Sequence, residues 1–464
     1  MKKVIKQDDI LTLDIVDYGI NGEGIAKYKG VVIFIPFAMK GERIEAKITY
    51  VKRDFATAKL LKIIEQSSLR KDYPCNRFIK CGGCNLLHVD YGEQLALKRN
   101  TLENTLKKSL GEVKVEPCVP SPNTLGYRNK VQLPFGIVNG RAVLGFFRAG
   151  THKIVSITKC FLHGDWLEEL IEVVLDFVRK NDISVYDETS HTGLLRHMVA
   201  RFIDNKLCLV LVTNGDTLPH YRKLIDRLKE KFKDFSLYLS VNQKKTNVIL
   251  GDKLICLKEG DFQIDILGIK VKLSPLSFLQ VNDKVRDMIY KRVIDECRGS
   301  DAVIDAYSGV GILGAALVKH GIKEVYNIEI VPEAVKDANA LAKENGVSDR
   351  IKNILGDVSK ELPKLIEKIH SQDKRISIIL DPPRKGVDKN AISALTNIPY
   401  PINLIYISCN PATLARDLAL LTKNDIYAIK SITPCDMFPQ TRHVECVVLM
   451  SMVMNKEHCP PFLQ

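Results

Sequence analysis

Short strand-like runs separated by glycine turns open the chain. The runs VVIFIPFAM and RIEAKITYV are rich in β-branched and aromatic residues, and Asn21-Gly22 and Lys40-Gly41 mark turns before them. Short strands joined in this way are typical of a small closed barrel. The pattern therefore predicts an OB-like β-barrel over residues 1–66.

The pattern changes after residue 66. Residues 67–90 show no apolar period and indicate a loop, whereas residues 91–110 place leucines at helical spacing. From about residue 125 to residue 265, short strand and helix patterns are mixed. We therefore expect a central α+β domain over 67–265, with the 91–110 helix as a candidate to pack on the domain that follows.

From about residue 270 the chain alternates between strand and helix patterns. DAVIDAYSG, EVYNIEIV, ISIILDPP and INLIYISCN predict strands, and ILGAALVKHG, PEAVKDANALAKENG and PATLARDLALLTK predict the helices between them. Such alternation builds a parallel, doubly wound sheet. The predicted fold class is thus α/β, with a Rossmann-like domain over 266–464 behind the barrel and the mixed α+β domain.

Charge points to an anionic partner. The 464-residue chain carries a net charge of +13, and residues 67–160, with 15 Lys/Arg against 6 Asp/Glu, supply nine of these charges. This concentration favours a nucleic-acid-binding face over an evenly charged surface. No run of about 18 apolar residues appears, and Asp8 and Asp9 interrupt the N-terminal stretch. We therefore expect no membrane span, no signal peptide and a cytoplasmic location.

A glycine-rich turn follows the first strand of the alternating region. Gly309, Gly311 and Gly314 form G-x-G-x-x-G between a strand and a helix, and Glu329 ends the next strand, where a carboxylate can bind ribose hydroxyls. This pattern fits a dinucleotide or S-adenosylmethionine. Asp381-Pro382-Pro383-Arg384 ends a further strand, and because hydride-transfer folds do not need that element, it favours methyl transfer.

Two further residues suggest the chemistry. Cys409 lies between a strand and a helix, where the helix dipole stabilises a thiolate, and Glu445 heads an apolar strand, where burial would raise its pKa and suit it to act as a base. A lone cysteine is more often structural. Methylation of uracil at C5 needs this pair, because a thiolate added at C6 makes C5 nucleophilic and a base then removes the C5 proton.

Together, DAYSGVGILG, EIVPEAV, ILDPPRKG, ISCNPATLARDL and HVECVVLM resemble the RNA (uracil-5-)-methyltransferases of the RumA/TrmA type. The N-terminal unit resembles a TRAM domain, and Ser277–Asn282 matches the family's F-x-Q-x-N stretch. The resemblance implies that Cys409 is the nucleophile and Glu445 the general base. It also implies that Gln280, Tyr307, Glu329 and Asp381 line the cofactor and target-base site. The family often has Cys at the position of Ser308, a small turn residue.

Three cysteines lie close together at Cys75, Cys81 and Cys84. With a distant fourth cysteine, this spacing suits tetrahedral zinc or an iron–sulfur cluster, and the spacing alone leaves both open. The resemblance implies a [4Fe–4S] cluster with Cys160 as the fourth ligand. Cys118, among prolines, is interpreted as non-ligating. We expect the cluster to have a structural role, tying the 75–84 loop to the chain near Cys160.

RNA recognition requires a target uridine that is flipped out of the stack. Aromatic residues interleaved with cations are candidate RNA contacts: Tyr127, Arg128, Lys130, Phe146, Phe147, Arg148, His152 and Lys153. We expect 23S ribosomal RNA as substrate, with transfer RNA as the alternative, and a monomer by default. A nicotinamide-dependent oxidoreductase would leave Cys409 and Glu445 without a role, and a non-catalytic RNA-binding protein would lack one of them.

Overall fold

The computed structural model describes residues 5–398 and 401–453, and its N-terminal part is a closed barrel in the order β1-β2-β3-β5-β4. The barrel strands are β1 (Ile10–Tyr18), β2 (Gly24–Tyr28), β3 (Val31–Ile35), β4 (Arg43–Val51) and β5 (Phe55–Glu65). Alternate residues such as Leu13, Ile15 and Ile48 fill the interior, as the two-residue period of a strand requires. The predicted N-terminal barrel is confirmed.

A buried ion pair fastens the barrel to the cysteine-bearing loop. Arg70 Nε and Nη2 donate to the two carboxylate oxygens of Glu42 at 2.6 and 2.9 Å, and Nη2 also donates to the Phe37 carbonyl at 2.8 Å. The Phe37 ring in turn meets the ring of Phe78, which lies between Cys75 and Cys81, edge to face at 5.2 Å. The barrel is therefore joined to the cysteine loop by an ion pair and by a contact between two aromatic rings.

The first helix, α1 (Tyr91–Leu110), has the predicted bounds. The Asp90 carboxylate caps it by accepting a hydrogen bond from Gly92 N, and Gly111, at φ 75°, ends it. Its apolar face packs against α9 (Pro411–Leu421), and Leu102 and Leu106 join the core of the C-terminal sheet.

A second sheet forms the central domain, in the order β12-β11-β10-β9-β6-β7-β8. Its strands are β6 (Lys130–Val138), β7 (Arg141–Phe147), β8 (Ile154–Ser156), β9 (Leu195–Ile203), β10 (Lys206–Thr213), β11 (Asp234–Val241) and β12 (Lys253–Lys258). The amphipathic helices α2 (Trp166–Lys180) and α3 (Tyr221–Lys231) share a core with it, through residues such as Leu170, Phe177 and Leu228. The hairpin β13 (Gln263–Ile266) and β14 (Ile269–Lys272) packs with the C-terminal domain. The proposed domain boundaries at residues 66 and 265 remain predictions.

The C-terminal sheet has the order β17-β16-β15-β18-β19-β21-β20. Its strands are β15 (Ala302–Ala306), β16 (Glu324–Glu329), β17 (Ile351–Leu355), β18 (Ile376–Leu380), β19 (Ile402–Ser408), β20 (Tyr427–Cys435) and β21 (Glu445–Met452). The other helices are α4 (Asp283–Glu296), α5 (Ile312–Lys319), α6 (Pro332–Glu344), α7 (Val358–His370) and α8 (Lys389–Thr396). The predicted α/β fold is confirmed, with one correction to the all-parallel sheet.

That correction concerns the last strand. Six of the seven strands run in one direction, but β21 inserts between β19 and β20 and runs antiparallel to both. A short loop links β20 to β21, and strands joined without a crossover helix must be antiparallel. The apolar sequence pattern of β20 and β21 does not indicate in which direction each strand runs relative to its neighbours.

The β20–β21 loop (residues 436–444) is held by groups from several parts of the chain. Lys98 Nζ donates to Asp436 Oδ1 at 2.5 Å and to the Phe438 carbonyl at 3.0 Å, and both partners of the ion pair are fully buried. Gln440 N donates to the Gln94 side-chain oxygen at 3.0 Å, and Gln94 Nε2 donates to Gln440 Oε1 at 2.9 Å. Helix α1 therefore fixes this loop from one side.

Replacing Lys98 with Met should destabilise the protein by about 3–5 kcal/mol, because Asp436 would remain buried without its cation. The double variant Lys98→Met/Asp436→Leu should recover most of that loss. Urea unfolding followed by circular dichroism measures both changes. Lys107→Met, on an exposed turn of the same helix, is the control and should change stability by no more than about 0.5 kcal/mol; an equal effect of the two Lys→Met variants would contradict the prediction.

Candidate active site

The register of the C-terminal sheet brings the predicted site residues to one edge. Ala306 pairs with both Ile328 and Leu380, so the next residues along these three strands, Tyr307, Glu329 and Asp381, lie side by side at the sheet edge. Ligands of open α/β sheets bind at this carboxyl edge.

Cys409 and Glu445 meet at the same edge. Ser408 lies opposite Cys446 in the antiparallel pair of β19 and β21, so Cys409 and Glu445 occupy the next position of the register. Asn410 caps α9 by accepting a hydrogen bond from Ala412 N at 3.1 Å, and its side-chain Nδ2 donates to the Arg384 carbonyl at 2.9 Å. The loop after Asp381 is thereby tied to the turn that carries Cys409.

The Cys409 thiol is partly buried. Burial raises its pKa, the nearby carboxylates of Glu445 and Asp381 raise it further, and the Arg384 guanidinium lowers it. All three charged groups therefore act on the thiol electrostatically.

Glu445 is 2% exposed, and its Oε2 has no hydrogen-bond partner within the described chain. Burial raises its pKa well above the ordinary value, the Asp381 carboxylate adds to that rise, and Arg384 opposes it. A carboxylate with a raised pKa is a stronger base, and its unpaired oxygen is free to take a proton from a bound molecule.

Asp381 is also desolvated, and burial raises its pKa to about 7. Beside it lies Asp305, which is 2% exposed, has no partner for Oδ2 among the described residues and has a pKa raised by burial, then by Asp381 and Glu329. Asp305 was not among the predicted site residues. An aspartate inside the apolar run VIDA was the available signal.

Two other residues at the site were also not assigned a role. Arg384 supplies the positive charge that acts on Cys409 and Glu445. The partly buried Tyr290, on α4, interacts electrostatically with Asp381 and Asp305, and burial raises the pKa of its hydroxyl. Arg384 directly follows the Pro-Pro element, whereas nothing in the local sequence sets Tyr290 apart from a core tyrosine.

The glycine turn forms a close-fitting cradle. Gly309 and Gly311 adopt φ 55° and 75°, and a Cβ on Gly314 would lie only 2.3 Å from Asn327 Oδ1. Tyr307 also has a positive φ of 68°. Glu329 holds the turn in place, because its Oε2 accepts from Gly309 N at 2.9 Å. Its Oε1 accepts from Ile330 N and Val331 N, each at 2.9 Å.

Gln280 lies in the segment between the hairpin β13–β14 and α4. Asn129 Nδ2 donates to the Gln280 carbonyl at 3.1 Å, and Asn282 Nδ2 donates to the Met437 carbonyl of the β20–β21 loop at 3.3 Å. Next to this segment is a groove of about 320 Å³, the Arg128 groove. Its lining includes Arg128, Lys130, Gln132, Phe146, His163 and Phe278.

The four predicted ligand cysteines converge on one cavity of about 50 Å³, the cysteine cavity, which Cys75, Cys81, Cys84 and Cys160 all line. Burial, followed by the three other cysteines, raises the pKa of Cys84. Cys118 is buried elsewhere and lines no part of this cavity. Within residues 5–398 and 401–453, no group of three or more His, Cys, Asp or Glu side chains is assembled to hold a metal ion.

Comparison with known proteins identifies the family. The profile of the family described as tRNA (Uracil-5-)-methyltransferase matches residues 91–453, and the TRAM domain profile matches residues 9–61. The chain belongs to the RNA uracil-5-methyltransferase family.

Curated relatives match this methyltransferase over its whole length. An uncharacterized RNA methyltransferase of Clostridium tetani is 38% identical, with 98% of this chain and all of the relative aligned. Another, from Halalkalibacterium halodurans, is 36% identical over 97% of this chain and 98% of the relative. The crystal structure of Pyrococcus abyssi tRNA (uracil-54, C5)-methyltransferase in complex with S-adenosyl-L-homocysteine is 28% identical, with a TM-score of 0.76, and covers 95% of this chain and 99% of that one.

The candidate RNA contacts of this methyltransferase fall into two groups. Tyr127 is buried and donates a hydrogen bond to the Pro439 carbonyl at 3.0 Å, so the prediction that it contacts RNA from the surface is wrong. The other candidates, Arg128, Lys130, Phe146, Phe147, Arg148, His152 and Lys153, are partly or fully exposed. Tyr127 is buried whereas the adjacent Arg128 is half-buried, and the sequence pattern did not reveal this difference. No helix in the described parts of the chain is long and apolar enough to cross a membrane.

Replacing Gly314 with Ala should distort the glycine cradle, because the new Cβ would displace the Asn327 side chain. Overpacking of this kind costs about 1–3 kcal/mol, so we expect S-adenosylhomocysteine to bind about tenfold more weakly in isothermal titration calorimetry. Adding Asn327→Ala removes the clash and should restore part of the affinity. Unchanged binding by the single variant would show that the cradle does not contact the cofactor.

Proposed function

We propose that this enzyme transfers a methyl group from S-adenosylmethionine to C5 of a uracil in RNA through a covalent adduct of Cys409 with C6. The observation that carries the proposal is the meeting of Cys409 and Glu445 at one register position beside the glycine cradle. A thiol nucleophile and a buried carboxylate base are the two groups this reaction needs.

In the proposed reaction, the Cys409 thiolate forms a bond to C6 and leaves C5 with enolate character. C5 then takes the methyl group, with S-adenosylhomocysteine as the leaving group. Glu445 removes the proton from C5, and the C6–S bond breaks to release the thiolate and the methylated uracil. The N-terminus of α9 and Arg384 would both stabilise the thiolate before attack.

The residues of the crevice fit S-adenosylmethionine. When bound, that molecule supplies an electrophilic methyl group. Its ammonium group suits the unpaired carboxylate oxygen of Asp305, and its ribose suits Glu329, whose oxygens keep further acceptor capacity. Gly309 and Gly311 leave room for the backbone to approach it, and we assign Tyr307, Asp381 and Gln280 to the walls around the cofactor and target base.

We favour 23S ribosomal RNA as the substrate, with a single uridine flipped into the pocket from a loop. The motifs that support this choice are the barrel and the cysteine set, which the resemblance links to the ribosomal branch. Transfer RNA is the second candidate, because the 28%-identical Pyrococcus abyssi neighbour is named for a transfer RNA uridine. We further propose a cytoplasmic monomer whose Arg128 groove holds the RNA backbone beside the target.

The cysteine cavity fits a [4Fe–4S] cluster. Four thiols that line one cavity can supply the ligands of either a tetrahedral zinc ion or a cubane iron–sulfur cluster. The resemblance to the ribosomal branch is what favours the cluster. Its proposed role is structural: Cys75, Cys81 and Cys84 would tie their loop to Cys160, and no chemical step would pass through it.

The pH dependence follows from the site electrostatics. Both Cys409 and Glu445 act in their deprotonated forms, and both have raised pKa values, so kcat/KM should rise with increasing pH and reach its plateau only on the alkaline side. Arg384→Gln removes the charge that lowers both pKa values and should move this rise in kcat/KM to higher pH, by a small amount because solvent screens the exposed Arg384 side chain. Arg384→Lys, which keeps the positive charge, should show nearly the same dependence of kcat/KM on pH as the wild type. If the rise in kcat/KM of Arg384→Gln occurred at the wild-type pH, Arg384 would not influence these pKa values.

The reaction itself is tested by incubating the protein with labelled S-adenosylmethionine and unmodified 23S ribosomal RNA or transfer RNA transcripts. Mass spectrometry of nuclease fragments should show 5-methyluridine, reduced by at least about 1,000-fold in Cys409→Ala. Cys256→Ala, which removes an exposed thiol on β12, is the matched control and should remain active. Glu445→Gln should accumulate a covalent protein–RNA band, because the adduct would no longer lose its C5 proton.

The outcomes separate the parts of the proposal. Methylation of transfer RNA alone would keep the chemistry and overturn the ribosomal substrate. An active Cys409→Ala variant would overturn the covalent mechanism. Absence of 5-methyluridine in both RNAs, with cofactor bound, would overturn the assignment to uracil C5.

A further inference from the structure

The cysteine cavity and the Arg128 groove share a wall. Arg128, Phe146 and His163 line both spaces, whereas the four cysteines line only the first and Lys130 only the second of the two. Arg128 is the single cation among the three shared residues. A charge in the cysteine cavity and a charge in the Arg128 groove would therefore both act on the guanidinium of Arg128.

The backbone holds Arg128 in this position from both sides. Arg128 N donates to the Leu162 carbonyl at 2.8 Å, two residues after Cys160, and the neighbouring Asn129 N donates to the Val281 carbonyl at 3.0 Å, next to Gln280. Arg128 thus lies between the chain that carries a cysteine of the cavity and the segment that carries a residue of the active site.

The side chain of Arg128 has unused hydrogen-bonding capacity. Its Nε is buried and has no hydrogen-bond partner among the described residues. A buried donor without an acceptor is costly and calls for a partner that the protein chain does not supply. His163, 5% exposed, likewise has an unpaired Nδ1, while its Nε2 donates to the Lys130 carbonyl at 3.1 Å.

The other cations around the cysteine cavity are less suited to this role. Arg77 and Lys159 also line it, but both are exposed, and Lys159 already pairs with Asp165 and Glu168 at 3.0 and 3.2 Å. Solvent screens such charges, whereas the half-buried Arg128 lines the cavity with Cys84 and Cys160 and acts on their thiols through a region of lower dielectric constant.

We propose that Arg128 couples the charge of the cysteine-bound cluster to RNA binding, with its guanidinium shared between the cluster and an RNA phosphate in the groove. This inference rests on the proposed function, because it needs both the cluster and the RNA surface. A more negative cluster attracts Arg128 more strongly and lowers the positive potential of the groove. RNA should therefore bind more weakly when the cluster gains an electron, and by thermodynamic reciprocity bound RNA should make the cluster harder to reduce.

The test uses the full-length protein, purified without oxygen, and a fluorescein-labelled hairpin RNA with a uridine-rich loop. Iron and sulfide are first measured, and fluorescence anisotropy then gives the dissociation constant with the cluster oxidised and after reduction by dithionite, followed by visible absorbance. We expect reduction to weaken binding to the wild-type protein by about fivefold, at the lower end of couplings between sites.

Two substitutions assign the effect to Arg128. Arg128→Gln should weaken RNA binding and abolish the difference between the oxidised and reduced protein, and Arg128→Lys, which keeps the charge, should retain part of it. Lys130→Gln is the matched control: it removes a cation that lines the groove but not the cysteine cavity. It should weaken RNA binding and leave the fivefold redox difference intact.

Each outcome bears on a different claim. Iron-loaded protein with equal RNA affinity in both states overturns the coupling and leaves the cluster and the methylation reaction standing. Arg128→Gln with the full redox difference overturns the role of Arg128. Protein isolated without iron overturns the cluster together with the coupling, while the methylation assay still decides the proposed reaction on its own.

Discussion

The buried β20–β21 loop is the constraint on which the arrangement of the site depends. The Lys98–Asp436 ion pair and the reciprocal amide hydrogen bonds of Gln94 and Gln440 hold it, and desolvation makes each of these contacts costly to break. Asn85 N and Leu86 N both donate to the Gln440 carbonyl, at 3.1 and 3.0 Å. These contacts therefore fix the cysteine loop and helix α1 against the segment that leads into the strand beginning at Glu445.

Desolvation is the second effect that shapes the site, because it changes the pKa values of the carboxyl groups there. Asp305, Asp381 and Glu445 are brought together at one sheet edge, where burial raises all three pKa values. Arg384, at the exposed rim, opposes that rise at Cys409 and Glu445. A desolvated crevice with one exposed cation at its rim can thus keep a strong base and a nucleophile next to each other.

Local patterns predicted much of this protein because each pattern maps onto a local structure. The leucine spacing of residues 91–110 gave the bounds of α1, and the G-x-G-x-x-G turn lies between β15 and α5 as expected. The direction of β21, the burial of Tyr127 and the participation of Asp305 and Tyr290 were not predictable in this way. Each depends on residues far away in the chain, such as the Pro439 carbonyl that accepts the Tyr127 hydrogen bond.

The sequence by itself determined the α/β class, the barrel, the family resemblance and the candidate residues Cys409, Glu445 and the four cysteines, because short-range spacing and residue chemistry carry that information. Only the tertiary structure decided which of these groups meet. The antiparallel register of β19 and β21 puts Cys409 beside Glu445, and the packing of residues 127–130 between two loops makes Arg128 the wall shared by two cavities. Such contacts are set by long-range hydrogen bonding and burial, which no local pattern encodes.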